Sequence, residues 1–274
     1  MIRDYSSFDF ANEQLDALED AARRLFEVDI LSWQKFRYVI NSGTLRSKIG
    51  YSSDWCGPAN PSIEDAYLDI GKSNTEALCS LTMALFSARQ FNDRDALAFR
   101  LHSKAFYFHA GCFLDSIARI IYIMTDDYSL VKQETMEGVK VPSRRLWDWG
   151  KLSRRASGNP QELRCLHSFI TAGDLDEIIR VRHVLTHSWQ PPFDIDESGS
   201  IAWPLCVRQK RMFYWPHDPI ERAALNTECP NWEPVSTMIQ RDQKALIRFF
   251  GEVFPALETC WKAYSARHQF EITN

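Results

Sequence analysis

The stretch RDALAFRLHSKAFYFHAGCFLDSIARIIYIMT, residues 94–125, is the longest periodic segment of the chain. Ala96, Phe99, Ala105, Phe108, Cys112, Leu114, Ile117, Ile120, Ile121 and Met124 return near the helical period. No Pro interrupts them, and the only Gly is Gly111. At about 1.5 Å per residue such a helix crosses a whole domain. Just upstream, residues 73–91 read as a second helix, with Ser73, Asn74, Thr75 and Glu76 as cap candidates and an acidic first turn. Asn92 and Asp93 divide the two. Adjacent long helices imply an antiparallel hairpin inside a bundle, so the fold class is all-α.

Working outward, residues 11–40 read as helical, with Leu15, Leu18, Ala22, Leu25, Phe26 and Val28 near the helical period. Residues 41–62 hold Gly43, Gly50, Gly57, Pro58 and Pro61 and read as an irregular connection. Residues 126–160 are less regular and carry a basic, aromatic run from Arg144 to Arg155, in which Trp147 and Trp149 are candidates for burial. A short helix over 161–172 precedes a longer one over 175–188, which Pro191-Pro192 stops. Residues 193–217 read as a small β-hairpin, with Asp196-Glu197-Ser198-Gly199 as the turn and Val207–Trp215 as the second strand. Glu233-Pro234 opens a final helix to about Arg267, with Pro255 as a kink or break. The domain expectation is an N-terminal helical extension over 1–72 packed on a helical bundle over 73–274, with the hairpin at 193–217 as an insertion.

A 45% hydrophobic composition supports a real core, and the net charge of -4 argues against a general nucleic-acid coat protein. A local basic cleft remains compatible with it. The seven cysteines form no C-x-x-C pair, and their odd count suits buried thiols in a reducing compartment. The start MIRDYSSFDF has no apolar signal region, and the apolar run from Cys112 to Met124 is broken by Asp115 and Arg119. A cytoplasmic protein without a membrane span is the expectation.

The chemistry-bearing segment is Arg180-Val181-Arg182-His183-Val184-Leu185-Thr186-His187. RNA is cleaved when its own 2′-hydroxyl attacks the adjacent phosphate. That reaction needs a group near neutral pKa to move protons, which suits His. It also needs a cation to hold charge on the phosphoryl oxygens, which suits Arg. No metal or other cofactor is required. The bland alternative is a helix with a surface Arg and a His near its C-terminus, where the helix dipole favours a cation.

The spacing of Arg182 and Arg180 to His187 resembles the R-x(4–6)-H motif of HEPN ribonucleases. RHVLTH looks like their R-N-x-x-x-H form, with His183 where Asn is usual. The resemblance spans roughly residues 73–190. It implies that Arg182 and His187 are catalytic, with Arg180, His183 and Asp115 in support. It also implies an RNA substrate, a homodimer, and a toxin or anti-phage role with an antitoxin or regulatory protein partner. Trp189 stands where some members carry a modifiable Tyr. The alternative function is a non-catalytic helical module of the same kind, binding a nucleotide, an RNA or a protein.

His183 and His187 share a helix face, but the Glu of an H-E-x-x-H pair is absent and no third ligand is evident. Asp115 and Arg119 are four apart and read either as an intrahelical ion pair or as Asp115 orienting His187 or Arg182. His102 and His109 read as core or rim residues. Arg208, Lys210, Arg211 and Tyr214, on the second strand of the expected hairpin, are candidates for gripping RNA by phosphate contact and base stacking.

Overall fold

The computed structural model describes residues 6–42, 63–124, 133–136, 139–142, 149–150, 152, 166–170, 173–187, 194–195, 199–209, 220 and 231–267. Their elements, in chain order, are α1 (Ser6–Phe26), α2 (Leu31–Ser42), α3 (Ile63–Gln90), α4 (Ala96–Met124), β1 (Gln133–Met136), β2 (Val139–Pro142), α5 (His167–Ile170), α6 (Gly173–His187), β3 (Asp194–Ile195), β4 (Ile201–Pro204), α7 (Cys206–Gln209), β5 (Trp232–Pro234) and α8 (Val235–Arg267). The described residues are mainly helical, as the periodicity predicts. No described helix is long and apolar enough to cross a membrane.

The segment read as helical over 11–40 forms two helices. Glu27 takes a positive φ of 54°, and the Val28 N–H donates to the Ala22 carbonyl at 3.3 Å. That pattern closes a helix through a left-handed residue, a place where Gly is commoner than Glu. Asp29 Oδ1 then accepts the Leu31 N–H at 3.0 Å and starts α2. Buried Glu19 clamps the two helices together by accepting from Arg37 Nη1 at 2.6 Å and Gln34 Nε2 at 2.5 Å.

α3 begins ten residues before the expected start at Ser73, so the expected domain boundary at 72/73 falls inside a continuous helix. Ser73 and Asn74 are not caps but buried mid-helix residues, and the Asn74 carbonyl accepts the Trp33 indole N–H at 3.1 Å. The α3–α4 break follows the sequence closely. Asn92 accepts the Arg94 N–H, and Asp95 caps α4 by accepting the N–H groups of Leu97 and Ala98 at 2.9 and 3.1 Å.

The chain divides into two compact units of interleaved segments. The first comprises Met1–Cys79, Phe113–Thr171 and Phe249–Asn274. Its core is aromatic: Phe249 meets Phe113, Trp149 and Phe169 with ring centroids 5.8, 5.3 and 6.2 Å apart, and Phe254 meets Phe36 and Phe250 at 5.8 and 4.9 Å. Trp149 is fully buried, as its sequence context suggests; Trp147 and the rest of the run to Arg155, apart from Gly150 and Leu152, lie outside the described residues. This unit also holds the antiparallel β1–β2 hairpin, which the sequence reading left as irregular chain. α8 runs unbroken through Pro255.

The second unit comprises Ser80–Cys112 and Ala172–Arg248. Its sheet has the order β3-β4-β5, all antiparallel. The turn between β3 and β4 contains Gly199 at φ 82°, as the turn signal predicts. The second strand, however, is Ile201–Pro204 rather than Val207–Trp215, and Arg208 lies in the short helix α7. Arg208 was expected on an exposed, RNA-facing strand; it is 4% exposed and sealed inside the unit. The reason is Asp242 on α8, fully buried, which binds Arg208 through two parallel hydrogen bonds of 2.8 Å. The Tyr107 hydroxyl on α4 donates to the same carboxylate at 2.9 Å, and Arg208 Nε donates to Glu177 on α6 at 2.7 Å. Lys210, Arg211 and Tyr214 lie outside the described residues.

This quartet ties α4, α6, α7 and α8 by polar contacts, and the Tyr107 ring lies 6.2 Å from that of buried Trp203, which in turn meets Phe99 at 5.8 Å. Burial works against the Arg208 charge, but the bonds and charge of Asp242 outweigh it and hold the guanidinium protonated. Burial likewise pushes the Asp242 carboxyl upward, against the opposing pull of Arg208 and Tyr107. For Tyr107, burial and then the Asp242 charge raise the hydroxyl pKa well above the ordinary value of 10.0. The raised folded pKa means that this contribution is fully present below pH 10 and lost as the pH climbs, because the unfolded chain releases that proton first. Urea unfolding of Tyr107→Phe should show a loss of about 1–3 kcal/mol near neutrality. Above pH 10, its stability should fall less steeply than wild type by about 1.4 kcal/mol per pH unit. Parallel slopes for the two proteins would remove the assigned role of Tyr107.

Candidate functional site

α6 buries Leu175, Ile178, Val181, Val184 and Leu185 at intervals of three or four. That stripe fixes the rotation of the helix and leaves Arg180, Arg182 and His183 half-buried at its edge. Asp174 and Asp176 sit in the first turn, where the helix dipole favours acids. His187 is the last residue of α6, and its side chain lies outside the described residues. The Thr186 hydroxyl donates to the Arg182 carbonyl at 2.8 Å, a bond that helps close the final turn. One helix therefore carries all four motif residues, and its Glu177 is bound to Arg208.

The Arg182 side chain reaches α4. Its Cζ stands over the Phe108 ring, 6.0 Å from the centroid, which is cation–π distance. It crosses Gly111: a Cβ there would collide with Arg182 Cδ and lie 2.6 and 2.7 Å from Nε and Nη1. Gly111 is thus the groove through which the guanidinium stem passes. A lone Gly within a long helical pattern is a sequence signal for such close approach, and Gly111 carried it.

Phe108 is 51% exposed even with Arg182 beside it. Its ring also meets the His109 ring edge-to-face at 5.4 Å. Partial burial lowers the His109 pKa from its ordinary value. Leu97 and Leu101 lie eleven and seven residues before Phe108 on the same face of α4 and are 74% and 59% exposed. Sequence reasoning listed Phe108 among the residues that keep the helical period of α4, a spacing that does not tell core from surface; the tertiary fold leaves about half of it exposed.

Asp115, the supporting acid on α4, accepts the Trp149 backbone N–H at 3.0 Å through Oδ1. Its role in the fold is therefore at least partly to anchor the backbone at Trp149. Among the described cysteines, Cys206 is buried, Cys112 and Cys260 are half-buried and Cys79 is exposed, so the expectation of buried thiols holds for only one of the four.

No protein-family model, no curated protein and no solved structure matches this chain. The chemical reading of the site therefore rests on its own residues.

The Gly111–Arg182 contact makes a prediction that needs no knowledge of function. Within a helix Ala is better than Gly by about 1 kcal/mol. Gly111→Ala should therefore stabilise an Arg182→Ala protein by roughly that amount, while in the wild-type background the gain is cancelled or reversed by displacement of the Arg182 side chain. A double-mutant cycle measured by urea or thermal unfolding reads the coupling. Additive effects within about 0.3 kcal/mol would show that the two residues do not share this space.

Proposed function

We propose that this protein is a metal-independent endoribonuclease of HEPN type, in which Arg182 holds the scissile phosphate and His187 moves protons to and from the reacting oxygens. The observation that carries the reading is the seating of Arg182: a permanently charged fork, half-buried on α6 and held across Gly111 of α4, five residues before the His that ends the helix. A cation fixed before substrate arrives stabilises developing phosphoryl charge without reorganisation. The 2′-hydroxyl attacks phosphorus, the 5′-oxygen leaves, and the products are a 2′,3′-cyclic phosphate and a free 5′-hydroxyl. His187 accepts the first proton and returns one to the leaving oxygen. Arg180 and His183 support the site from the same helix. A role as a toxin or anti-phage effector, restrained by an antitoxin or regulatory protein, belongs to the same reading.

The site is proposed to be composite. Residues five apart on an ideal helix point about 140° from each other, so one copy of α6 does not easily aim Arg182 and His187 at one phosphate. Two copies facing across a two-fold axis do, because each wall then offers both residues.

Arg182→Ala and His187→Ala should each lower RNA cleavage by about 10²- to 10⁴-fold with thermal melts close to wild type. Wild-type cleavage should persist in EDTA and leave cyclic phosphate ends. Mixing the two inactive variants, after dissociation and reassociation, should recover about a quarter of wild-type activity, since half of the pairs are mixed and each mixed pair rebuilds one of two sites. A monomer by sedimentation that still cleaves would sink the composite site and leave Arg180, seven residues before His187 and on the same face, as the partner. Undiminished cleavage by His187→Ala would sink the catalytic assignment itself.

A further inference from the structure

We propose that Phe108 is a base-stacking platform beside the phosphate-holding Arg182, so that the substrate is RNA with an unpaired base next to the scissile phosphate. This rests on the ribonuclease reading above and names the substrate class for the same site. Three observations carry it. Phe108 keeps 51% of its surface open, whereas the aromatic side chains of Phe99, Phe106, Tyr107 and Phe113 on the same helix are buried. Arg182 is directed onto that ring from the motif helix, with Cζ 6.0 Å from the centroid. Gly111, one turn along α4, removes the side chain that would otherwise push the guanidinium away.

The pairing of the two groups matches one nucleotide. The guanidinium takes the phosphate oxygens through its fork, and the aromatic ring takes the flat face of the base attached to the same or the next sugar. Arg182 stands over the ring while about half of the Phe108 surface remains open, and Arg guanidinium planes stack on bases in their own right, so cation and ring form one stacking surface in this proposal. Stacking on Phe108 requires a base turned out of a helix. A duplex presents no free base face, so loops, bulges and single strands bind and continuous duplex does not. Leu101, one two-turn step back along the same face, extends the apolar surface toward the neighbouring sugar and base. Phe has no hydrogen-bonding edge, so the platform selects for an unpaired base and not for its identity.

The test uses the full-length protein and a short single-stranded RNA, 2′-O-methylated to block cleavage, with 2-aminopurine at successive positions. Wild type should quench the fluorescence at one position, where the base stacks, and should leave the same probe unquenched in a duplex. Phe108→Leu, which keeps an apolar side chain on an exposed site, should abolish the quench and weaken binding about 5- to 100-fold, and Phe108→Trp should restore both. Equal quenching by Phe108→Leu, or no quenching by wild type, overturns the platform. A change in sedimentation coefficient for Phe108→Leu with unchanged quenching also overturns it and assigns the face to self-association. Cleavage is scored separately on unmodified RNA. Quenching without cleavage leaves the platform standing and removes the nuclease, whereas cleavage without quenching does the reverse.

Discussion

The contact between Arg208 and Asp242 is the constraint on which the second unit depends. Two charges with almost no water around them are tolerable only when their hydrogen-bonding capacity is met by partners of good geometry. Here the guanidinium fork matches the carboxylate with two bonds of 2.8 Å, Tyr107 adds a third to the same carboxylate, and Glu177 takes the remaining Nε–H of Arg208. Removing one member of such a pair leaves the other buried and uncompensated, at a cost of about 3–5 kcal/mol. The pair therefore acts less as a source of net stability than as a device of register: its two parallel bonds form only where the fork on α7 and the carboxylate on α8 align.

The motif helix inherits its position from that device. Glu177 stands three residues before Arg180 and five before Arg182, and its carboxylate is bound to the buried Arg208. The apolar stripe of α6 sets the rotation of the helix, and the Glu177 contact resists sliding along its axis. Arg182 is then delivered to one place on α4, over Gly111 and against Phe108. Under the proposed function a phosphate-binding cation is useful in proportion to how little it must move, and the contacts of Arg182 with Gly111 and Phe108 would supply that restraint.

Much of the architecture follows from local chemistry. The α4 periodicity, the Asp95 cap, the Gly199 turn and the placement of Arg180, Arg182, His183 and His187 on one late helix are short-range properties, written in residues a few positions apart. So was the hint at Gly111, a single Gly in an otherwise uninterrupted helix. The sequence alone thus determined a mainly helical protein and the helix that bears its chemical motif.

The tertiary structure decided what each side chain faces. Arg208 looked like a surface cation because it stands among Lys210, Arg211 and Tyr214; burial beside Asp242, thirty-four residues away, makes it a core residue instead. Phe108 keeps helical spacing, which does not tell core from surface, and about half of it stays exposed. Ser73 and Asn74 read as caps until the upstream turns of α3 placed them inside a helix. In each case the local pattern carried the residue type and not its surroundings. Burial and ion pairing depend on segments that are distant in sequence and meet only in the fold, so no local window contains them.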